Sequence, residues 1–317
     1  MIQKNIQSLL DSSESITAFK QAREQLTKSY RASDGQKKQG FSSPTEALAY
    51  VATRMPATYA AVETVLSHVP IETIESVLDL GAGPGTASFA AAFRWPRCKK
   101  FHLVEGNRHI YDISQQLIQN VPEIAHQAFD FQHSNLLNYS LDQTYDIAIL
   151  SYALNELASR DQTHVITNVW EHVEKGVVIV VPGTPEGYRQ LMVIREKLIQ
   201  MGAFIAAPCP HDNACPLIGE DWCHFSVRLP RSSLHQRIKD APLPYEDEKY
   251  SYLVALKDKV ERPHARIIKK PIKRSGHITM DLCTRDGLKR QTVSRRNNEI
   301  YKQACQQQWG DDWDGHS

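Results

Sequence analysis

Residues 77–87 read Val77-Leu78-Asp79-Leu80-Gly81-Ala82-Gly83-Pro84-Gly85-Thr86-Ala87. An apolar run leads into three glycines, and a helix-forming stretch comes directly after. That order predicts a strand, a tight loop and a helix. Glycine lets the backbone turn sharply and come close to a ligand, and parallel sheets bind ligands at the carboxyl ends of their strands, where this loop must lie. Gly81, Gly83 and Gly85 are therefore candidate binding positions. Glu105 ends the next predicted strand, where a carboxylate accepts hydrogen bonds from ribose hydroxyls. A glycine loop alone is a weak signal; strand, loop, helix, second strand and terminal acid in that order are a stronger one. The spacing departs from the Gly-x-Gly-x-x-Gly dinucleotide form, and Asp79 suits an ammonium-bearing ligand better than a pyrophosphate. S-adenosylmethionine is thus the expected cofactor, with Asp130 and Phe131, ending the third strand, as contacts for its adenine.

The alternation continues along the chain. Strands are predicted at 76–80, 100–105, 128–132, 145–151 and 176–181, with helices at 86–93, 110–120, 160–172 and 187–201. Such alternation implies a mostly parallel sheet covered on both faces. The expected fold is α/β, class I methyltransferase-like and Rossmann-like, with late strands at 225–229 and 250–256. Residues 1–70 read as a helical N-terminal cap containing a polar linker, 71–257 as the methyltransferase-like domain, and 258–317 as a basic β-rich module with a terminal helix. The fourth strand ends in Ser151-Tyr152-Ala153-Leu154-Asn155-Glu156-Leu157. Methyl-acceptor contacts sit at this place in such sheets, so Ser151, Tyr152, Asn155 and Glu156 are candidate catalytic residues. Capping of the next helix is the alternative for Asn155 and Glu156. There is no Asn-Pro-Pro-Tyr signature and no cysteine suited to attacking a pyrimidine ring.

Residues 208–225 hold Cys209, Cys215 and Cys223, two of them followed directly by proline. Proline bars helix and regular sheet pairing, so this loop is irregular and can turn several sulfurs onto one point. Three thiolates leave a tetrahedral metal site or an iron–sulfur cluster one ligand short. Cys283, in the predicted strand around residues 277–284, supplies the fourth. The wide Cys-x5-Cys-x7-Cys gaps fit a cuboidal cluster better than the closely paired cysteines of zinc knuckles. Zinc is the alternative, and buried thiols without metal a third. His211 and His224 lie among the sulfurs as hydrogen-bonding partners or substitute ligands, while Cys98 and Cys305 stand apart.

With 317 residues and 41% hydrophobic content, the chain can bury an α/β core and carry a further module. Its net charge of +1 hides an asymmetry, because residues 257–302 hold fourteen Lys/Arg against five Asp/Glu. A local positive field favours phosphate-rich partners. Arg262, Arg266, Lys269, Lys270, Lys273, Arg274, Lys289, Arg290, Arg295 and Arg296 are the candidate contacts. Short basic strands meet RNA backbone in this way, and the scarcity of aromatics points to phosphate and shape rather than base stacking. A solvated surface is the alternative. The first residues lack the apolar core of a signal peptide, and the run 177–181 is too short to span a bilayer. A cytoplasmic protein without membrane contact is the expectation.

Taken together, residues 77–85, 151–157, 182–187, 207–212, 221–226 and 243–249 resemble the methyltransferase-like proteins of the small ribosomal subunit, a family best known as mitochondrial assembly factors and having bacterial relatives. The resemblance runs from about residue 44 to 310 and is most specific at Pro-Cys-Pro-His-Asp (208–212) and Asp-Trp-Cys-His-Phe-Ser (221–226). It implies a methyltransferase-like fold, a [4Fe–4S] cluster on Cys209, Cys215, Cys223 and Cys283, and binding to small-subunit ribosomal RNA or a pre-ribosomal particle rather than DNA. The expected protein is ribosome-associated, binds S-adenosylmethionine, and acts as an rRNA methyltransferase or assembly factor. Two alternatives stand beside it: a non-catalytic RNA-binding factor on the same scaffold, and a small-molecule methyltransferase stapled by zinc.

Overall fold

Residue 6 and residues 16–32, 40–119, 121–217 and 219–315 are described by the structure, a computed structural model. The first half of the expected N-terminal helix and most of the polar linker lie outside the described residues. Three helices come first: α1 (Ile16–Ala32), α2 (Pro44–Thr53) and α3 (Met55–Ser67). The start of α2 is set by its local chemistry, with Pro44 in the first turn and the Ser43 hydroxyl accepting the Glu46 N–H at 3.2 Å. The Glu46 carboxylate in turn accepts the Ser42 N–H at 2.8 Å.

Strand and helix then alternate as expected: β1 (Ser76–Leu80), α4 (Thr86–Arg94), β2 (Lys100–Glu105), α5 (Arg108–Gln119), β3 (Ala128–His133), β4 (Tyr145–Ser151), α6 (Ser159–Glu171), β5 (Val173–Pro182) and α7 (Pro185–Gln200). After them come β6 (Phe204–Ala207), β7 (Phe225–Pro230), α8 (Ser233–Lys239) and β8 (Tyr245–Leu256). The sheet order is β3-β2-β1-β4-β5-β8-β6, parallel through β5, with β8 antiparallel to its neighbours. Successive side chains of a strand point to opposite faces. Val77, Ile147, Val178 and Val180 accordingly join α2, α3, α4 and α5 in one core, while Leu78, Ala148, Val177 and Ile179 join α6 and α7 in the other. Burial on both faces is why these strands read as unbroken apolar runs.

Strand β8 holds the far side of this sheet together. Along one edge it pairs with β5 from Tyr250 to Leu256. Along the other it pairs first with β7, from Tyr245 to Tyr250, and then with β6, from Val254 to Leu256. Residues 208–224 leave the sheet in the gap between those two partners, and they carry three of the cysteines.

A second, antiparallel sheet holds the tail: β9 (Ala265–Ile267), β10 (Ile272–Arg274), β11 (His277–Thr284), β12 (Gly287–Ser294) and β13 (Asp312–Trp313), with α9 (Asn298–Gln306) on one face. Ile278, Met280 and Leu282 of β11 pack with Val293, Ala304 and Trp313. By strand alternation Cys283 faces away from that small core.

The α/β architecture is therefore as expected, and four details differ. Strand β6 and helix α8 add to the predicted elements, β8 begins at Tyr245 rather than at residue 250, and strand β13 follows the terminal helix of the tail. Among the described residues no helix is long and apolar enough to cross a membrane.

Candidate functional site

A cleft of about 440 Å³ opens at the carboxyl ends of β1, β2 and β4. It is lined by Gly81, Gly83, Glu105, Asn107, Asn135, Ser151, Tyr152 and Glu156, with Phe41 and Tyr50 from the helical segment. Gly81 has φ +68°, and a Cβ there would stand 2.5 Å from that of Ala153. Its N–H and that of Ala82 donate to the Val104 carbonyl, which folds the loop back on β2. Glu105 holds the loop open: its carboxylate accepts the Gly83 N–H at 2.8 Å and the Asn107 N–H at 2.7 Å. Burial pushes Glu105 above the usual carboxylate range, and those amides pull it back. Asn107 also donates to the Phe41 carbonyl at 3.0 Å, drawing the helical segment over the cleft.

Asp79 lies beneath the loop rather than in the cleft. It is 1% exposed, and one oxygen accepts both the Ser88 N–H (3.0 Å) and the Ser88 hydroxyl (2.7 Å). Its other oxygen is buried without a partner. Burial pushes Asp79 up to about 6, with the Ser88 bonds opposing. Gly85, at the start of α4 with φ +78°, packs against Ile118 and Leu103 and does not line the cleft.

The expected adenine contacts need correction. The Asp130 carboxylate faces His102 Nδ1 at 2.7 Å, and Phe131 sets its ring edge-on to Tyr111 at 6.3 Å. Neither lines the cleft, because their strand positions turn them elsewhere. Asn135, Leu136 and Leu137, just beyond β3, stand there instead. Sequence reasoning missed them, together with Asn107, although each lies just past the carboxyl end of a strand.

At the other end of the cleft, Tyr152 has φ +57°, a left-handed conformation that costs a side chain of this size about 1–3 kcal/mol. Its N–H donates to Val180 O at 2.7 Å, and its hydroxyl donates to Glu248 Oε1 at 3.0 Å. Burial, and then the charge of Glu248, push its phenol far above the ordinary value, so the proton stays on Tyr152. Ser151 Oγ and Asn155 Oδ1 are buried without hydrogen-bond partners. The first turn of α6 begins after Ala158 and receives no side-chain cap, so Asn155 and Glu156 do not cap it.

The four expected ligands come together. Cys209, Cys215, Cys223 and Cys283 all line one small, largely apolar cavity with Tyr188, Leu191, Met192 and Arg266. The Tyr188 hydroxyl donates to Cys215 Sγ at 3.2 Å, and His211 Nε2 lies 3.7 Å from Cys283 Sγ. His224 instead stacks on Trp222 at 4.9 Å. Burial pushes the Cys283 thiol up to about 12 and Cys223 well above its ordinary value, with neighbouring cysteines adding to the rise. Among the described residues, no three His, Cys, Asp or Glu side chains are grouped to hold a single metal ion. The remaining cysteines lie elsewhere, Cys98 buried and Cys305 exposed.

The basic tail divides into two sets. Arg266 is 2% exposed and donates to Pro208 O (3.0 Å) and Gly310 O (2.9 Å), with an ion pair to Asp312. Arg262 is paired with Asp212 at 2.8 Å. Both expectations of RNA contact are thereby corrected: these guanidiniums hold the second sheet to the cysteine loop. Lys269, Lys270, Lys273, Arg274, Lys289, Arg290, Arg295 and Arg296 are exposed. Of these, Lys269 pairs with Asp221 at 2.7 Å, Arg290 with Asp281 at 2.6 Å, and Lys273 donates to Cys305 O.

Known proteins share both the sequence and the fold in part. A family model described as "Mitochondrial small ribosomal subunit Rsm22" matches residues 44–314. The human ribosome assembly protein METTL17, mitochondrial, is 24% identical over 298 residues, covering 83% of this chain and 61% of the human protein. A fission yeast relative, Rsm22-cox11 tandem protein 2, mitochondrial, is 26% identical over 329 residues, covering 84% of this chain and 43% of that protein. The chain thus spans only part of the length of these relatives. In structure, an O-methyltransferase family protein from Burkholderia thailandensis aligns with TM-score 0.51 at 13% identity, over 80% of this chain and 75% of the other, which shows the methyltransferase fold. The expectation of a cytoplasmic protein is overturned, since the family and both relatives are named as mitochondrial. Matched from residue 44 to residue 314, the chain belongs to the Rsm22 family of the mitochondrial small ribosomal subunit.

Proposed function

We propose that this protein is an assembly factor for the small ribosomal subunit that binds S-adenosylmethionine in the cleft and ribosomal RNA along its tail. The observation that carries the cofactor reading is Glu105, a carboxylate inside the cleft that braces a glycine loop through two backbone amides. Glu105 would take the ribose hydroxyls, and Ile110 with Leu136 and Leu137 the adenine face. When bound, the cofactor supplies an electrophilic methyl group. The residues near the acceptor end favour binding over catalysis. Tyr152 keeps its proton and spends its hydroxyl on Glu248, so it is a wall rather than a base. Membership of a family whose relatives are named ribosome assembly proteins supports the partner, and the exposed lysines and arginines of the second sheet offer phosphate contacts.

The four cysteines are proposed as ligands of one [4Fe–4S] centre. Four thiols line one small cavity, and their wide Cys-x5-Cys-x7-Cys spacing with a distant fourth cysteine suits a polynuclear core better than one zinc. The test combines calorimetry with S-adenosylmethionine and a methyl-transfer assay on small-subunit particles. Binding without transfer is the expected result. Transfer that depends on Ser151 or Glu156 would restore the rRNA methyltransferase reading, and absence of both cofactor and RNA binding would overturn the proposal.

A further inference from the structure

We infer that Arg195 is the counter-ion of the cysteine centre: a buried guanidinium behind Cys209 whose charge is balanced by thiolates in the cavity rather than by a carboxylate. The inference rests on the reading of the four cysteines as ligands.

Helix α7 presents Tyr188, Leu191, Met192 and Arg195 at spacings of three, four and seven residues, which places them on one face. The first three line the cysteine cavity. Arg195, at the end of the same face, is only 4% exposed. One of its terminal nitrogens donates to two neutral acceptors, His211 O and Asn213 O, both at 2.9 Å. Its Nε is buried with no partner. Arg195 makes no ion pair among the described residues. The acid nearest in the loop, Asp212, is taken by Arg262.

Arginine cannot shed its proton in a protein, and a buried charge without a partner is costly. Something in the interior must therefore be negative. Arg266, on the far side of the cavity, adds a second guanidinium, against a single half-exposed carboxylate, Asp312. Four thiolates around Zn²⁺, or around a [4Fe–4S] core of charge +2, leave a net double negative charge. Two flanking guanidiniums and one half-exposed carboxylate sum to +1, so such a centre supplies the negative charge the interior lacks, with one unit over. Protonated thiols would leave Arg195 unbalanced; thiolates holding a cationic core would not.

The experiment compares Arg195→Gln, which keeps an amide donor for the two carbonyls but removes the charge, with Arg195→Lys, which keeps the charge and loses the fork. The full chain is made metal-free, titrated with Zn²⁺, and separately reconstituted anaerobically with ferrous iron and sulfide. Arg195→Gln is expected to lose roughly 10- to 100-fold in Zn²⁺ affinity, the range seen for groups just outside a metal's ligands. Its reconstituted cluster should have a more negative reduction potential, and its gain in melting temperature on metal loading should shrink. Arg195→Lys should stay close to wild type in all three. Equal losses in the two variants would reduce Arg195 to a tie between α7 and the loop and overturn the inference. A wild-type chain that takes up neither metal would remove the cysteine-centre reading itself, and this inference with it.

Discussion

Arg54 and Glu248 meet in a two-bond ion pair, Nη2 to Oε1 at 2.9 Å and Nη1 to Oε2 at 3.2 Å. Arg54 sits at the junction of α2 and α3, and Glu248 lies in β8 with its Oε1 also receiving the Tyr152 hydroxyl. The helical segment is thus fastened to the sheet at the same oxygen that positions a wall of the cleft. Glu248→Gln keeps the shape and removes the charge. Urea denaturation should show a loss of about 2 kcal/mol, the scale of a hydrogen bond to a charged group, and calorimetry should show weaker S-adenosylmethionine binding. Unchanged affinity with lowered stability would separate the fastening from the cleft.

Asp79 provides a test with a definite sign. Its folded value of about 6 lies above the ordinary 3.8, raised by burial. Between those values the folded chain holds a proton that the unfolded chain has released, so stability falls as pH rises through that window. Above it the full penalty is present, roughly 3 kcal/mol. Asp79→Asn should therefore raise the melting temperature at pH 8, with the gain fading below about pH 4. A variant less stable than wild type at pH 8 would show that the carboxylate is better compensated than its unpartnered oxygen indicates.

The glycine loop distinguishes folding from binding. A methyl group on Gly81 meets Ala153, whereas one on Gly83 meets open space. Gly81→Ala should destabilise the fold strongly. Gly83→Ala should cost only about 1 kcal/mol for its positive φ while weakening S-adenosylmethionine binding. Thermal melts beside calorimetry on the two variants would show whether these effects separate.

The two sets of tail arginines should behave differently. Replacing Lys289, Arg295 and Arg296 with alanine should lower RNA affinity, flatten its dependence on salt and leave stability within about 0.5 kcal/mol. Arg266→Ala should act through the fold, lowering stability by roughly 1–3 kcal/mol as the Pro208 and Gly310 carbonyls lose their buried donor. Filter binding at several salt concentrations, read against thermal melts, checks both.

Cys209→Ser and Cys283→Ser should each yield protein without bound iron after anaerobic purification, and of lower solubility, because binding energy of a structural centre is folding energy. Metal analysis and the visible absorption spectrum report it. Wild-type iron content in both variants would refute the shared centre.

Most of the first sheet was readable because doubly buried strands are apolar throughout and most alternate with an amphipathic helix. The parts that escaped have physical reasons. Phe204–Ala207 is only four residues long and ends at a proline. The start of β8 carries Glu246 and Glu248, which resemble loop residues until their partners are known. Glu246 is held by Arg231, His235 and Lys239, so although burial pushes its carboxyl up, the His235 and Lys239 bonds keep it well below the usual range. Asp130 failed on phase: a strand's direction was legible, but which face each residue took was not. Arg266 failed because basic composition does not distinguish a buried structural cation from an exposed one.

The gap in β8's outer edge also sets an order of events. A chain made from its N-terminus lays down Cys209, Cys215 and Cys223 before β8 exists to close the sheet, and Cys283 only after it. The last wall of the cavity is therefore made only after every strand of the main sheet has been synthesised.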